Sequence, residues 1–234
     1  MQAIVQLLET AGLFLVGLLA RAGLVLGVIL LLAVPVVLIA LGLRGAESLR
    51  HRRLGVRHVA GLLFRPDLWY APGHAWLGRR KGGALVVGLD DLAQRLMPSV
   101  TGVEVPRAGT AVAQGAPLCT LFAGARRLVV PSPVAGTVAC ANPAVLRDPG
   151  LVKRDGYGRG WLVAVTPADE RYAALPRGDG AEAFLRREAA RWNRLVEEEL
   201  GLAAADGGEL LAPAPYLLGE AGWRRLVREV VGGC

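Results

Sequence analysis

The hydrophobic pattern divides the chain sharply. Residues 22–43, AGLVLGVILLLAVPVVLIALGL, carry no charged side chain, and a membrane-spanning helix needs about 20 predominantly apolar residues. Pro35 is admissible there, because membrane helices accept proline more readily than soluble ones. A cleavable leader has a shorter apolar core preceded by positive charge; here the core is longer, and Arg44, Arg50, Arg52, Arg53 and Arg57 follow it. Positive flanks stay in the cytoplasm. The pattern therefore predicts a membrane anchor over residues 1–43 with a single span at 22–43. It places the N-terminus outside and the soluble part in the cytoplasm, held at the inner (cytoplasmic) membrane. Residues 2–20 are also apolar. They extend the same helix, lie along the outer interface or form a second short span. Residues 44–65 read as a basic juxtamembrane segment, either a solvated lead-out or a patch for anionic lipid head groups.

From residue 66 the apolar runs become short, with glycine and proline between them. Ala84–Leu89, Gly102–Val105, Leu118–Phe122 and Gly160–Val165 suit strands. The glycine-rich stretch from Gly78 to Gly83, which contains Lys81, reads as a hairpin loop. Asp90–Leu96 reads as a brief helix with Asp90 as N-cap. Residues 106–112 (PRAGTAV) and 133–139 (PVAGTVA) echo each other, which suggests a sandwich built from related halves. Beyond residue 170 the period becomes helical. Asp179-Gly180-Ala181-Glu182 resembles a capping box, and Leu185, Ala189, Trp192, Val196 and Leu200 recur at helical spacing before Gly201. Glu197-Glu198-Glu199 reads as a solvated face. Past Pro213 and Pro215, a second helix aligns Trp223, Leu226, Val227 and Val230. These stripes either cap the β domain or bind a partner.

Charge and candidate chemistry narrow the function. The chain has 27 basic against 20 acidic side chains, for a net charge of +7, and only Lys81 and Lys153 are lysine. Because basic residues cluster beside the apolar segment, a membrane surface is the expected partner and not nucleic acid. Cys119, Cys140 and Cys234 lack metal-site or redox spacing, and Cys234 is not placed for prenylation. Cys119 and Cys140 read as small buried residues. The histidines are His51, His58 and His74, and the serines Ser48, Ser99 and Ser132. None falls in a nucleophile, phosphate-loop or zinc motif. Asp90 and Asp91 diverge by 100° on a helix, so they open a helix and do not form a catalytic pair. No catalytic residue, no metal ligand and no enzyme activity are expected.

Six ordered segments resemble the H protein of the glycine cleavage system. Gly73-His74-Ala75-Trp76 looks like that family's His-x-Trp strand. Val87 to Gln94, with Gly88, is similar to its V-G-[IL]-x-x-x-A-Q segment. Val103 to Pro106 with Gly109-Thr110, and Ser132-Pro133-Val134-Ala135-Gly136, resemble two of its strand-and-turn units. Asn142, Pro149, Leu151 and Val152 stand at family spacing. Tyr157-Gly158-Arg159-Gly160-Trp161-Leu162 resembles its Y-G-x-G-W-[LI] signature. The resemblance spans residues 66–170 and implies a lipoyl-like β-sandwich (barrel-sandwich hybrid). With the N-terminal transmembrane helix and the helical C-terminal extension over 171–234 read from the apolar pattern, the expected fold class is β-rich α+β. Trp161 is expected in the core, between the sheets.

The family carries lipoate on a lysine at a hairpin tip. Counting back from Pro133, that place falls on Ala125, followed by Arg126 and Arg127, and Phe122 stands where an acidic residue is usual. A guanidinium stays protonated and cannot accept an acyl group. Lys81 lies in a different loop, and Lys153 stands where the family has asparagine. The expectation is therefore a membrane-anchored H-protein-like module without lipoate or other cofactor, acting as a scaffold or docking protein. Its partners would be membrane lipid and a protein docking on the β domain or the C-terminal helices. The alternative is a lipoyl-carrier H protein shuttling an aminomethyl group in glycine cleavage.

Overall fold

A computed structural model describes residues 2–80, 82–200 and 218–232. Lys81, Gly201, Pro213, Pro215 and Cys234 lie outside the described residues. The chain divides after Arg52 into two units.

The first unit belongs to helix α1 (Gln2–Leu54), 53 residues long and about 80 Å at 1.5 Å per residue. Residues 22–43 fall inside it, and residues 2–20 continue the same helix. Pro35 lies within it without ending it. Leu31, Leu32, Val36 and Ile39 are all more than 60% exposed, so these apolar side chains lie outside any protein core. By length and composition it could cross a membrane.

In the second unit the fold starts earlier than residue 66. Strands β1 (Arg57–Val59) and β2 (Leu62–Phe64) form an antiparallel hairpin. Its turn, Ala60 at φ 46° and Gly61 at φ 75°, places both central residues in the left-handed region that matches strand twist. Val59, Leu62 and Phe64 are buried. The expected 44–65 lead-out is thus corrected: its second half is part of the folded domain, drawn in by these three apolar side chains.

A six-stranded antiparallel sheet is built from β3 (Trp69–Tyr70), β4 (Ala75–Arg79), β5 (Leu85–Leu89), β7 (Ala111–Val112), β10 (Gly136–Ala141) and β11 (Val163–Pro167), in the order β3-β4-β5-β11-β10-β7. A three-stranded sheet contains β6 (Gly102–Glu104), β8 (Pro117–Ala123) and β9 (Arg126–Pro131) in the order β6-β8-β9. The two echoing segments meet. Thr137 pairs with Ala111 and Gly136 with Val112, while Gly109 N–H donates to Val138 O and Val138 N–H to Thr110 O. One hydrophobic core takes Leu77, Leu85 and Val165 from the large sheet and Leu121, Leu128 and Val130 from the small one.

Short helices pin the sheets. Helix α2 (Asp91–Leu96) is capped by Asp90, whose Oδ1 accepts from Ala93 N–H at 2.9 Å. Helices α3 (Pro143–Arg147) and α4 (Leu151–Arg154) precede the Tyr157–Leu162 segment. Asn142 caps α3 and donates from Nδ2 to the carbonyls of Arg159 (2.7 Å) and Trp161 (2.6 Å). Strand β11 begins at Val163 and not at Gly160, because Gly160 N–H turns back to Asp155 O. Trp161 is corrected with it: the ring is only partly buried, and the Arg80 guanidinium lies 5.3 Å from its centroid. The buried tryptophans are Trp69, Trp76, Trp192 and Trp223.

The C-terminal stripes face inward. Helix α5 (Asp179–Leu200) buries Leu185, Ala189, Trp192 and Val196. Asp179 is its first helical residue and not a cap, since Glu182 N–H bonds to Gly178 O; both acidic residues sit where the helix dipole favours negative charge. Helix α6 (Glu220–Val227) runs into a π-helical turn, Arg228–Gly232, and the two bury Trp223, Leu226, Val230 and Val231. Of the two readings of these stripes, the structure gives capping of the β domain.

Candidate functional site

The β8–β9 hairpin carries the position on which the lysine count fell. Ala123 pairs with Arg126, so Gly124 (φ 62°) and Ala125 form the tip. Ala125 is exposed and offers a methyl group. Phe122 pairs with Arg127 on the hairpin arms. Arg126 is held from the C-terminal side. Its guanidinium lies 5.2 Å from the Trp223 ring centroid, donates to Leu218 O at 3.1 Å and approaches Glu220 Oε2 at 3.7 Å. Trp223 in turn donates from Nε1 to Leu96 O at 2.8 Å. Helix α6 therefore bridges the end of α2 and the residue beside the hairpin tip. This contact joins residues more than ninety positions apart, and no local pattern announces it.

Lys153 is committed elsewhere. Its Nζ donates to Gln94 O at 3.0 Å and to Met97 O, at the carbonyl end of α2, where a cation also meets the negative end of the helix dipole. Burial lowers its pKa. Cys119 is buried, which pushes its thiol up to about 12 and leaves it inert as a nucleophile at neutral pH.

His74 is fully buried at φ 57°. Its Nδ1 lies 2.8 Å from Asp90 Oδ2, and its Nε2 lies 3.6 Å from Glu188 Oε2. Asp90 thus holds His74 with one carboxylate oxygen and caps α2 with the other. Burial pulls the imidazole pKa down, but the charge and hydrogen bond of Asp90, with Glu188 beyond, outweigh it and bring it up to about 9. Glu188 is lowered by the nearby His74 imidazolium. The folded value lies above the ordinary 6.5, so the stability contributed by this cluster is complete below pH 6.5 and is lost as pH rises through 9. Urea melts of residues 53–234 should lose about 3 kcal/mol across that window. In His74→Asn, a residue that also tolerates a left-handed backbone, the slope should disappear.

The remaining signature residues are packing devices. Gly88 has no room for a side chain, because a Cβ there would collide with the Trp76 indole. Trp76 stacks on Tyr157 at 6.2 Å between centroids, and Tyr157 donates its hydroxyl to Leu63 O at 2.7 Å. Gly136, Gly158 and Gly160 make similarly close approaches, to Thr166 O, the Asp155 carboxylate and Leu151 O. Pro133 is buried in the turn that Ser132 closes by donating to Val134 O at 2.7 Å.

The family model described as "Glycine cleavage H-protein" matches residues 68–188, about half of the chain. The chain belongs to the glycine cleavage H-protein family. The H protein of Shewanella sp. (strain ANA-3) is 32% identical over 123 residues, which cover 52% of this chain and 95% of that protein. H protein 3 of Aquifex aeolicus is 29% identical over 139 residues, 57% of this chain and 86% of that one. A crystal structure of an H protein from Mycobacterium marinum aligns with 47% of this chain and 97% of its own at 25% identity and a TM-score of 0.42. Within this H-protein-like domain the matched stretch ends inside α5, four residues before Trp192. Sequence reasoning pointed to Ala125, which the structure sets at a hairpin tip, and to the signature glycines. It missed the Asp90–His74–Glu188 cluster, in which Glu188 lies 114 positions from His74, and the grip of α6 on Arg126.

Proposed function

We propose that this chain is a membrane-anchored H-protein-like module that is not lipoylated and works as a scaffold or docking protein. The observation that carries this reading is the hairpin tip, where an alanine methyl stands at the acceptor place and the adjoining Arg126 is taken up by α6. An acyl transfer needs an amine that can lose its proton, and a guanidinium does not. No cofactor is required for such a role. The inward-packed C-terminal stripes leave the outer surface of the β domain as the place for a protein partner, and α1 as the part in contact with lipid.

The decisive experiment co-expresses the full chain with a lipoylation system and measures its intact mass. The expected result is the unmodified mass, while an H protein with its lysine gains the lipoyl group under the same conditions. Lipoate on Lys81 or Lys153 would restore the carrier reading. For the anchor, the arginines that follow residues 22–43 favour a cytoplasmic domain. Alkaline phosphatase fused after residue 232 should be inactive, because that reporter folds only outside; an active fusion reverses the topology.

A further inference from the structure

At the outer edge of the large sheet, where β3 pairs with β4, a cavity of about 330 Å³ is lined by Arg65, Arg79, Arg177 and Asp67 together with Trp69 and Trp76. Pockets of this size suit small molecules. The three arginines are not equivalent. Arg65 is satisfied: it donates to both carboxylate oxygens of Asp67 (3.0 and 2.5 Å) and to Tyr157 O (2.8 Å). Asp67 is thereby used up. Arg177 donates from Nε to Asp67 O, a neutral carbonyl, and Arg79 donates to the Tyr172 hydroxyl. Among the described residues no carboxylate reaches ion-pair distance of either. Three guanidinium groups against one carboxylate leave two positive charges on the lining.

Both free guanidinium groups are held in place. Arg177 lies 4.4 Å and Arg79 5.8 Å from the centroid of the Trp69 ring, and Arg79 also lies 5.9 Å from Tyr172. The backbone of Arg177 forms a bridge with Trp69. A stacked arginine keeps a planar fork of donors with less freedom to lose on binding. Trp76 contributes its ring to the wall.

We propose that this cavity binds a phosphate group, gripped by the forks of Arg79 and Arg177. Charge selects phosphate over carboxylate, since a phosphate monoester carries about −1.5 to −2 at neutral pH and matches the two uncompensated arginines, whereas a carboxylate matches one. The phosphate comes either from a soluble phosphate ester or from the head group of an anionic lipid such as phosphatidic acid.

The full-length protein in phosphatidylcholine nanodiscs is titrated calorimetrically with inorganic phosphate at constant ionic strength. Saturable binding is expected. Each arginine removed takes away charge-assisted hydrogen bonds worth about tenfold or more, so Arg79→Ala with Arg177→Ala should weaken it at least about a hundredfold. Arg79→Gln alone, at an exposed side chain, should weaken it about tenfold and keeps the test decisive if the double variant does not fold. Absence of saturable binding by the wild type, or undiminished binding by Arg79→Gln, overturns the proposal. A second set of discs containing phosphatidic acid identifies the source: blocked titration assigns the site to the lipid head group, and unchanged titration assigns it to a soluble ester.

Discussion

Asp90→Ala should destabilise residues 53–234 by about 3–5 kcal/mol. The carboxylate does two things at once. Its Oδ2 faces His74 Nδ1 at 2.8 Å, with both side chains fully buried, and its Oδ1 accepts the Ala93 N–H. Removing it leaves a buried imidazolium whose remaining acidic neighbour among the described residues, Glu188, is at 3.6 Å. It also uncaps α2, a loss of roughly 1 kcal/mol by itself. Asp90→Asn separates the two effects, because an amide oxygen still caps but carries no charge; it should recover about 1 kcal/mol. Urea midpoints below pH 6.5, where the wild-type histidine is charged in both states, give the clearest reading. A loss under about 1 kcal/mol in Asp90→Ala would mean that the His74 cluster is not charged in the folded protein.

The second large effect lies outside the family match. Trp192 on α5 is 1% exposed, and its indole N–H has no hydrogen-bond partner among the described residues. Its contribution is therefore burial alone, and Trp192→Ala should cost about 3–5 kcal/mol. Trp192→Phe keeps most of the ring and gives up no hydrogen bond, so it should retain the larger part of that stability. Equal melting of Trp192→Ala and wild type would show that the outer half of α5 peels away from a self-sufficient domain.

Much of the β architecture was legible because its signals are local. Alternating short apolar runs marked β5, β8 and β11, and Asp90 announced α2 by ordinary capping chemistry. The echo at 106–112 and 133–139 turned out to be two segments that pair with each other. Other features were hidden for physical reasons. The β1–β2 turn uses Ala60 in a left-handed conformation, where asparagine or aspartate would have given it away. Trp161 was read inward because tryptophan is large and apolar, yet Asn142 holds the backbone around it and Arg80 covers its face. Burial of the two C-terminal stripes was undetermined, since an amphipathic helix looks the same whether its apolar side meets its own domain or another. Arg79 and Arg177 looked like two among many arginines; only folding brings them onto Trp69.

The bond from Trp223 to Leu96 spans 127 positions and has a consequence in time. At the usual 5–20 residues per second of synthesis, the ribosome needs roughly 6 to 25 s to supply Trp223 after Leu96. Throughout that interval the β strands can pair, but the pocket that Trp223, Leu226 and Val230 will fill stays open on the nascent chain. Native closure is thus a late event, and the exposed apolar pocket is a place where a chaperone would bind or where two growing chains would stick.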